Sequence, residues 1–165
     1  MFEIENNIFR KACSDEVKSV SDLYRSVKGL PGCIWNENYP TENDAYSDFD
    51  AGCLYVYEAD GEIIGSVSVV SVNELDEFEC WSDLDGKHCE IARLCVKRGH
   101  QGHGFGRDIL NRLLEILKND GYTSVRVLAA ERNHAALKLY EKNGFDYLAE
   151  CDLYGKEYLL GEYIF

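Results

Sequence analysis

VKRGHQGHGFGR (residues 96–107) joins an apolar run that ends at Val96 to an amphipathic run that begins near Phe105. Glycine recurs in it at 99, 102, 104 and 106. Lacking a Cβ, glycine takes positive φ at little cost, so successive N–H groups can turn into one concavity. The helix that follows adds the unpaired N–H groups and positive dipole end of its first turn. Strand, glycine turn and helix start, in that order, make a cradle for a pyrophosphate; a purely structural tight turn is the plain alternative for such a loop taken alone. Two other phosphate loops do not fit. A P-loop needs four residues between its glycines and then Gly-Lys-Ser/Thr, whereas Arg107-Asp108 follows Gly106. The spacing G-x-G-x-x-G fails as well, because the sixth position counted from Gly102 is Arg107.

Working outward, Ile109, Leu110, Leu113, Leu114 and Leu117 recur at helical spacing and predict a helix over 105–119, ended by Asp120-Gly121. Upstream, residues 91–96 read as a buried strand. Further back, residues 54–58 and 63–71 are strand-like runs joined by Ala59-Asp60-Gly61-Glu62, a hairpin signal. An opening strand over 8–13 leads to Ser14 as a helix N-cap, with Val17, Val20, Tyr24 and Val27 on one helical face ending near Gly29. A second helix is expected after Thr41, whose T-x-x-D spacing to Asp44 is related to a capping box. Residues 72–87 are acidic and irregular. Downstream, residues 124–129 form a strand, 135–142 a short helix stopped by Asn143-Gly144, and 147–154 and 158–165 two strands turning at Gly155. The order β-α-α-β-β-β-α-β-α-β-β implies one α/β domain over 1–165, a mixed sheet flanked by helices.

Two blocks carry a resemblance. Gln101-x-x-Gly104-x-Gly106 resembles the Q/R-x-x-G-x-G/A signature of the GNAT superfamily of N-acetyltransferases. Asn133-x-x-Ala136-x-x-x-Tyr140, followed by Glu141-Lys142-Asn143-Gly144-Phe145, is similar to the superfamily's second block. The resemblance is close over residues 89–154, and in residues 1–87 lies only in the order of elements. It implies a mostly antiparallel mixed sheet with helices on both faces and acetyl-CoA as co-substrate. The main chain of Leu94, Cys95 and Val96 would lie along the pantetheine arm. Gln101, Gly102, His103, Gly104, Phe105, Gly106 and Arg107 would hold the pyrophosphate. An N–H of Leu94 or Cys95 would polarise the thioester carbonyl. Asn133 would bind the cofactor near the arm, and Tyr140 would protonate the CoA thiolate; their spacing of seven residues is about two helical turns, which puts both on one face. The acceptor amine also needs a base. Glu90, eleven residues before Gln101, resembles the catalytic glutamate of histone-type members, and Glu79 in the acidic stretch is the second candidate. Ribosomal-protein N-terminal acetyltransferases carry a glutamate five residues before the asparagine; here Leu128 stands there, a departure from that sub-family.

Each of these residues has an ordinary alternative. Tyr140 fits a core aromatic beside Leu137 and Phe145, Asn133 an N-cap, and Glu90 a solvated strand end. Cys95, mid-strand and without a motif-linked histidine, reads as a small buried residue rather than an acyl carrier. His100 and His103 lack a third ligand for a metal. Lys97, Arg98 and Arg107 suit either phosphate or solvent. Trp35, Tyr39 and Pro40 form an acceptor wall or a core cluster, and Trp81 is equally open.

Composition sets the outer limits. The 165 residues are 45% hydrophobic and 12% aromatic, as in one compact domain. A net charge of −13, from 30 acidic against 17 basic residues, repels nucleic-acid backbones and attracts cations such as amines. The seven cysteines (13, 33, 53, 80, 89, 95 and 151) contain no C-x-x-C pair. Together with a beginning that lacks the h-region of a signal peptide, they predict reduced thiols in a cytoplasmic protein without metal. No run approaches the roughly 20 apolar residues of a membrane span. The expected partners are a small-molecule or peptide amine, no nucleic acid, no membrane, and a homodimer paired through an exposed C-terminal strand. The reading is transfer of an acetyl group from acetyl-CoA to a primary amine by direct attack in a ternary complex. Its rivals are a non-catalytic acyl-CoA sensor and, more remotely, a nucleotide-binding domain with a variant loop.

Overall fold

The computed structural model describes residues 6–71 and 74–165. Among these residues seven strands form one sheet: β1 (Ile8–Lys11), β2 (Leu54–Ala59), β3 (Glu62–Val70), β4 (Lys87–Val96), β5 (Tyr122–Ala130), β6 (Asp146–Leu153) and β7 (Lys156–Ile164). Four α-helices among the described residues accompany it: α1 (Val17–Val27), α2 (Glu42–Asp50), α3 (Phe105–Asn119) and α4 (His134–Lys142). The spatial order is β1-β2-β3-β4-β5-β7-β6, antiparallel throughout except between β4 and β5. This is the mixed, mostly antiparallel sheet that the resemblance implied.

The hydrophobic pattern explains both layers. On α3 the stripe Ile109, Leu110, Leu113, Leu114 and Leu117 is buried against Tyr57, Val67, Ile91, Val125 and Val127 of the sheet. Gly65 permits the close approach: a Cβ there would stand 2.6 Å from Ile109 Cδ1. The opposite face packs Leu54, Val56 and Cys95 against Val17, Val20, Leu23, Tyr24 and Val27 of α1 and Ala45 of α2.

Element ends follow local chemistry. The helix after β1 is entered one residue earlier than Ser14: Cys13 N donates to Glu16 Oε1 at 2.7 Å, and a single 3₁₀ turn precedes α1. At α2 the Thr41 N–H donates to Asp44 Oδ2 at 2.7 Å, as its spacing suggested. Asp60 and Gly61 both take positive φ in the β2–β3 turn, which a two-residue hairpin loop of this hand requires. The acidic stretch holds a 3₁₀ segment at Glu74–Glu77 and then runs irregularly to β4; its first two positions, 72 and 73, lie outside the described residues. One expectation is corrected. The C-terminal strand β7 is not an exposed edge, because β5 and β6 flank it on either side. The edge is β6. Among the described residues no helix is long and apolar enough to cross a membrane.

Candidate active site

The sheet opens in its middle. β4 and β5 pair in parallel only as far as Ile91 opposite Val127, although β4 continues to Val96 and β5 to Ala130. The strands diverge, and the far half of β4 has a bare edge towards β5. Which main-chain groups face that opening follows from strand alternation. Lys97 N donates to Ile64 O of β3 at 2.8 Å, and Cys95 is paired with Ser66 two residues back, so both point at β3. Leu94 therefore presents its N–H and C=O to the opening, as Val96 does its N–H, while the Val96 C=O accepts from Gln101. Of the two N–H groups considered for the thioester carbonyl, Leu94 is the one on the bare edge. Cys95 turns its thiol to the Leu23 carbonyl of α1 at 3.5 Å, and burial pushes that thiol up to about 12. It is a core residue.

The glycine loop follows directly. Gly99, Gly102 and Gly104 take φ of +88, +80 and +87, and Gly104 is the N-cap of α3. The first bond into the helix runs from Asp108 N to Gly104 O at 3.1 Å. The N–H groups of Gly102, Gly104, Gly106 and Arg107 have no hydrogen-bond partner among the described residues. Such a row of N–H groups at a helix start suits a pyrophosphate. Gln101 braces the turn, its Nε2 donating to Val96 O at 3.1 Å. The Phe105 ring goes into the core beside Tyr57, so only its main chain belongs to the loop. His103 and Arg107 are exposed. A Cβ at Gly106 would meet Leu139 and Val96 side chains at ordinary contact distance, 3.6 and 3.8 Å, so the loop lies against β4 and α4 together.

Asn133 and Tyr140 frame the β5 side. Asn133 caps α4, its side chain accepting from Ala136 N at 3.2 Å, which leaves its amide donor without a partner among the described residues. Tyr140 is buried on the α3/α4 face with its ring edge-on to Phe145 at 5.2 Å. Burial, then the neighbouring Tyr147 and Glu90, keeps its hydroxyl protonated far above neutral pH. No hydrogen bond among the described residues occupies that hydroxyl.

Glu90 stands across the opening. Cys89 and Ile91 point into the α3 core, so Glu90 points to the α1/α2 face, in one row with Val70 and Arg126. Burial pushes its carboxyl up to about 7; Arg93 pulls it down, while Glu74 and Asp76 push it further up. Tyr154 donates to Glu74 at 2.5 Å, and Arg126 to Asp76 at 2.6 Å while lying 4.5 Å from the Trp81 ring centre. The acidic stretch is thus strapped across this face by Trp81 and by Ser82, whose hydroxyl donates to Glu162 at 2.5 Å. Glu79 stays exposed, without a hydrogen bond or ion pair among the described residues. Tyr39 joins the same side through Arg93 Nη1, at 3.0 Å from its hydroxyl.

Some of these residues escaped the sequence reading. Arg93, Asp48, Glu74 and Asp76 were not singled out. One signal for Asp48 was available: it lies three residues after Ala45, on the same helical face, and both are buried.

The geometry agrees with the comparisons. The family model for the acetyltransferase (GNAT) family matches residues 19–145. The L-amino acid N-acyltransferase MnaT of Escherichia coli K12 is 24% identical over 155 residues, 90% of this chain and 85% of that protein. N-acetyltransferase family 8 member 2 of Rattus norvegicus is 27% identical over 94 residues; the match covers 57% of this chain but only 38% of that protein. Among solved structures, a GNAT family acetyltransferase of Streptococcus agalactiae superposes with a TM-score of 0.83 at 20% identity, covering 100% and 99% of the two chains. The yncA protein of Salmonella typhimurium, solved with its cofactor acetyl-CoA, superposes with a TM-score of 0.74 at 20% identity, covering 96% and 94%. With a family model matched across most of its length and the split sheet and glycine loop in place, this chain belongs to the acetyltransferase (GNAT) family.

Proposed function

We propose that the protein transfers an acetyl group from acetyl-CoA to a primary amine of a small molecule or peptide, by direct attack in a ternary complex. One observation carries the reading: a half-buried carboxyl poised near neutral pH and an unengaged buried phenol approach the β4–β5 opening from opposite faces. Acetyl-CoA supplies the activated acetyl group. The N–H groups of 102–107 suit its pyrophosphate, the bare edge of β4 its pantetheine amides, and the spare amide donor of Asn133 a further polar contact. Leu94 N–H donates to the carbonyl oxygen as negative charge grows on it. Glu90 accepts a proton from the incoming ammonium, and Tyr140 donates its proton to the departing sulfur.

The acceptor side is acidic and aromatic. Glu74, Asp76 and Glu90 favour a cation, and Tyr39 and Tyr154 supply ring surface beside them. The names of MnaT and of the Salmonella typhimurium L-methionine sulfoximine/L-methionine sulfone acetyltransferase, 23% identical over 155 residues, put amino-acid-like amines on the panel beside diamines and peptides. The test is release of free CoA thiol from acetyl-CoA in the presence of that panel. Amine-dependent release supports the reading. Binding of acetyl-CoA with no release by any amine makes the protein a sensor instead.

A further inference from the structure

β4 contains a fault just where the proposed chemistry begins. Its pairing with β3 runs Val70–Glu90, Val69–Ile91, Ser68–Ala92, then resumes as Ser66–Cys95 and Gly65–Val96. One extra residue has been taken up on β4, a bulge. Arg93 sits in it with φ +53, a left-handed conformation that costs a non-glycine residue energy. The slip has a definite consequence. Ile64, Ser66 and Ser68 of β3 face β4, so without the slip Leu94 would pair with Ser66 and spend its N–H on β3. With it, Cys95 takes that place and Leu94 N–H faces the opening.

What holds the fault is visible. Arg93 Nε and Nη2 each donate to Asp48 of α2 at 2.8 Å, and Nη1 donates to Tyr39 Oη at 3.0 Å. Ser68 Oγ, opposite the fault, donates to the same Asp48 carboxylate at 2.6 Å. Asp48 is 7% exposed. Ala92 and Arg93, neighbours in a strand, both turn to the α2 side, as a bulge demands. A buried ion pair replaced by apolar residues is often no loss to stability, so this one has to be explained by the geometry it imposes.

We infer that Arg93 is a positioning residue: its two-pronged bond to Asp48 holds the bulge that aims Leu94 N–H into the opening between β4 and β5. The inference rests on the function proposed above. Polarisation of the acetyl carbonyl then depends on a residue whose side chain points away from it, and the acceptor-side loop is tied to the same anchor through Tyr39.

The test is isotope-edited infrared spectroscopy of acetyl-CoA carrying a ¹³C thioester carbonyl, which needs no identified acceptor. In the wild-type complex the carbonyl band lies below its frequency in free acetyl-CoA. The variant Arg93→Ala with Asp48→Asn removes the anchor, keeps a Cβ on the left-handed position so that the bulge still costs energy, and leaves no buried charge unpaired. It folds, and binds acetyl-CoA within about three-fold of wild type, since the phosphate loop is untouched. Its carbonyl band returns to the free position. Arg93→Lys, which keeps the charge but loses the planar fork, retains part of the shift. A double variant whose band stays where the wild type's lies overturns the inference. Should that variant not fold, Arg93→Lys decides: a band unchanged from wild type in position and width overturns it equally. A wild-type complex with an unshifted band overturns the inference alone; a wild type that does not bind acetyl-CoA overturns the proposed function with it.

Discussion

Glu90 keeps its proton to a pH near 7 because burial outweighs the pull of Arg93, and the Glu74 and Asp76 carboxylates add to burial. The folded carboxyl binds its proton more tightly than the unfolded one, about 7 against 4.5, so the cost of burying its charge is absent below the lower value and complete above the upper. Glu90→Gln therefore melts higher than wild type at pH 8 and level with it below about pH 4.5, the gain at pH 8 being at most about 3 kcal/mol. In activity the same variant loses most near neutral pH and recovers as the pH nears the amine's own pKa of about 10, where the acceptor needs no base. Pre-steady-state rates across the pH range check this; parallel profiles remove Glu90 from the proton path. Tyr140→Phe keeps the core packing and removes one proton donor. Its turnover falls by about 100-fold, the lower end of general-acid contributions, with acetyl-CoA affinity nearly unchanged. Equal turnover would show that the thiolate leaves without it.

The glycine loop and the start of α3 form the element on which cofactor recognition rests. Gly104 at φ +87 caps that helix, and an alanine there pays for its Cβ with about 1–2 kcal/mol. Gly104→Ala should lower the melting temperature and weaken acetyl-CoA binding together; calorimetry on one sample reads both, and unchanged affinity would detach the loop from the cofactor. This element was legible in the sequence because its cause is local. The five-residue apolar stripe and the glycines placed α3 at 105–119, the bounds it has. The bulge was not legible. Nothing in EIARLCV marks Arg93 as left-handed, since what holds it is Asp48, 45 residues away. Glu90 was a candidate on motif spacing alone; its environment comes from residues 74–76, brought over it by Trp81 and Arg126. The N-cap slipped from Ser14 to Cys13 for a smaller reason, as the Glu16 carboxylate reaches back to the earlier N–H.

At the scale of the whole molecule, pattern sufficed for the layers and failed for the edge. Alternation and helical stripes place every strand and helix, but they do not say that β7 inserts between β5 and β6, because both strands alternate alike and only their pairing distinguishes them. The surface bears the net charge of −13, and an acidic field gathers cationic acceptors. For a diamine acceptor KM should rise several-fold as ionic strength goes from about 0.02 to 0.2 M, with kcat nearly constant. A flat KM would confine recognition to short-range contacts inside the opening. Everything proposed for the site depends on the loop at 101–107 holding the pyrophosphate of acetyl-CoA. The most direct measurement is calorimetric titration of the purified protein with acetyl-CoA, with ATP and NAD as controls. Saturable binding of acetyl-CoA at roughly micromolar Kd, and none of the controls, is the expected result. Absence of binding by both acetyl-CoA and CoA would contradict the pyrophosphate role of that loop.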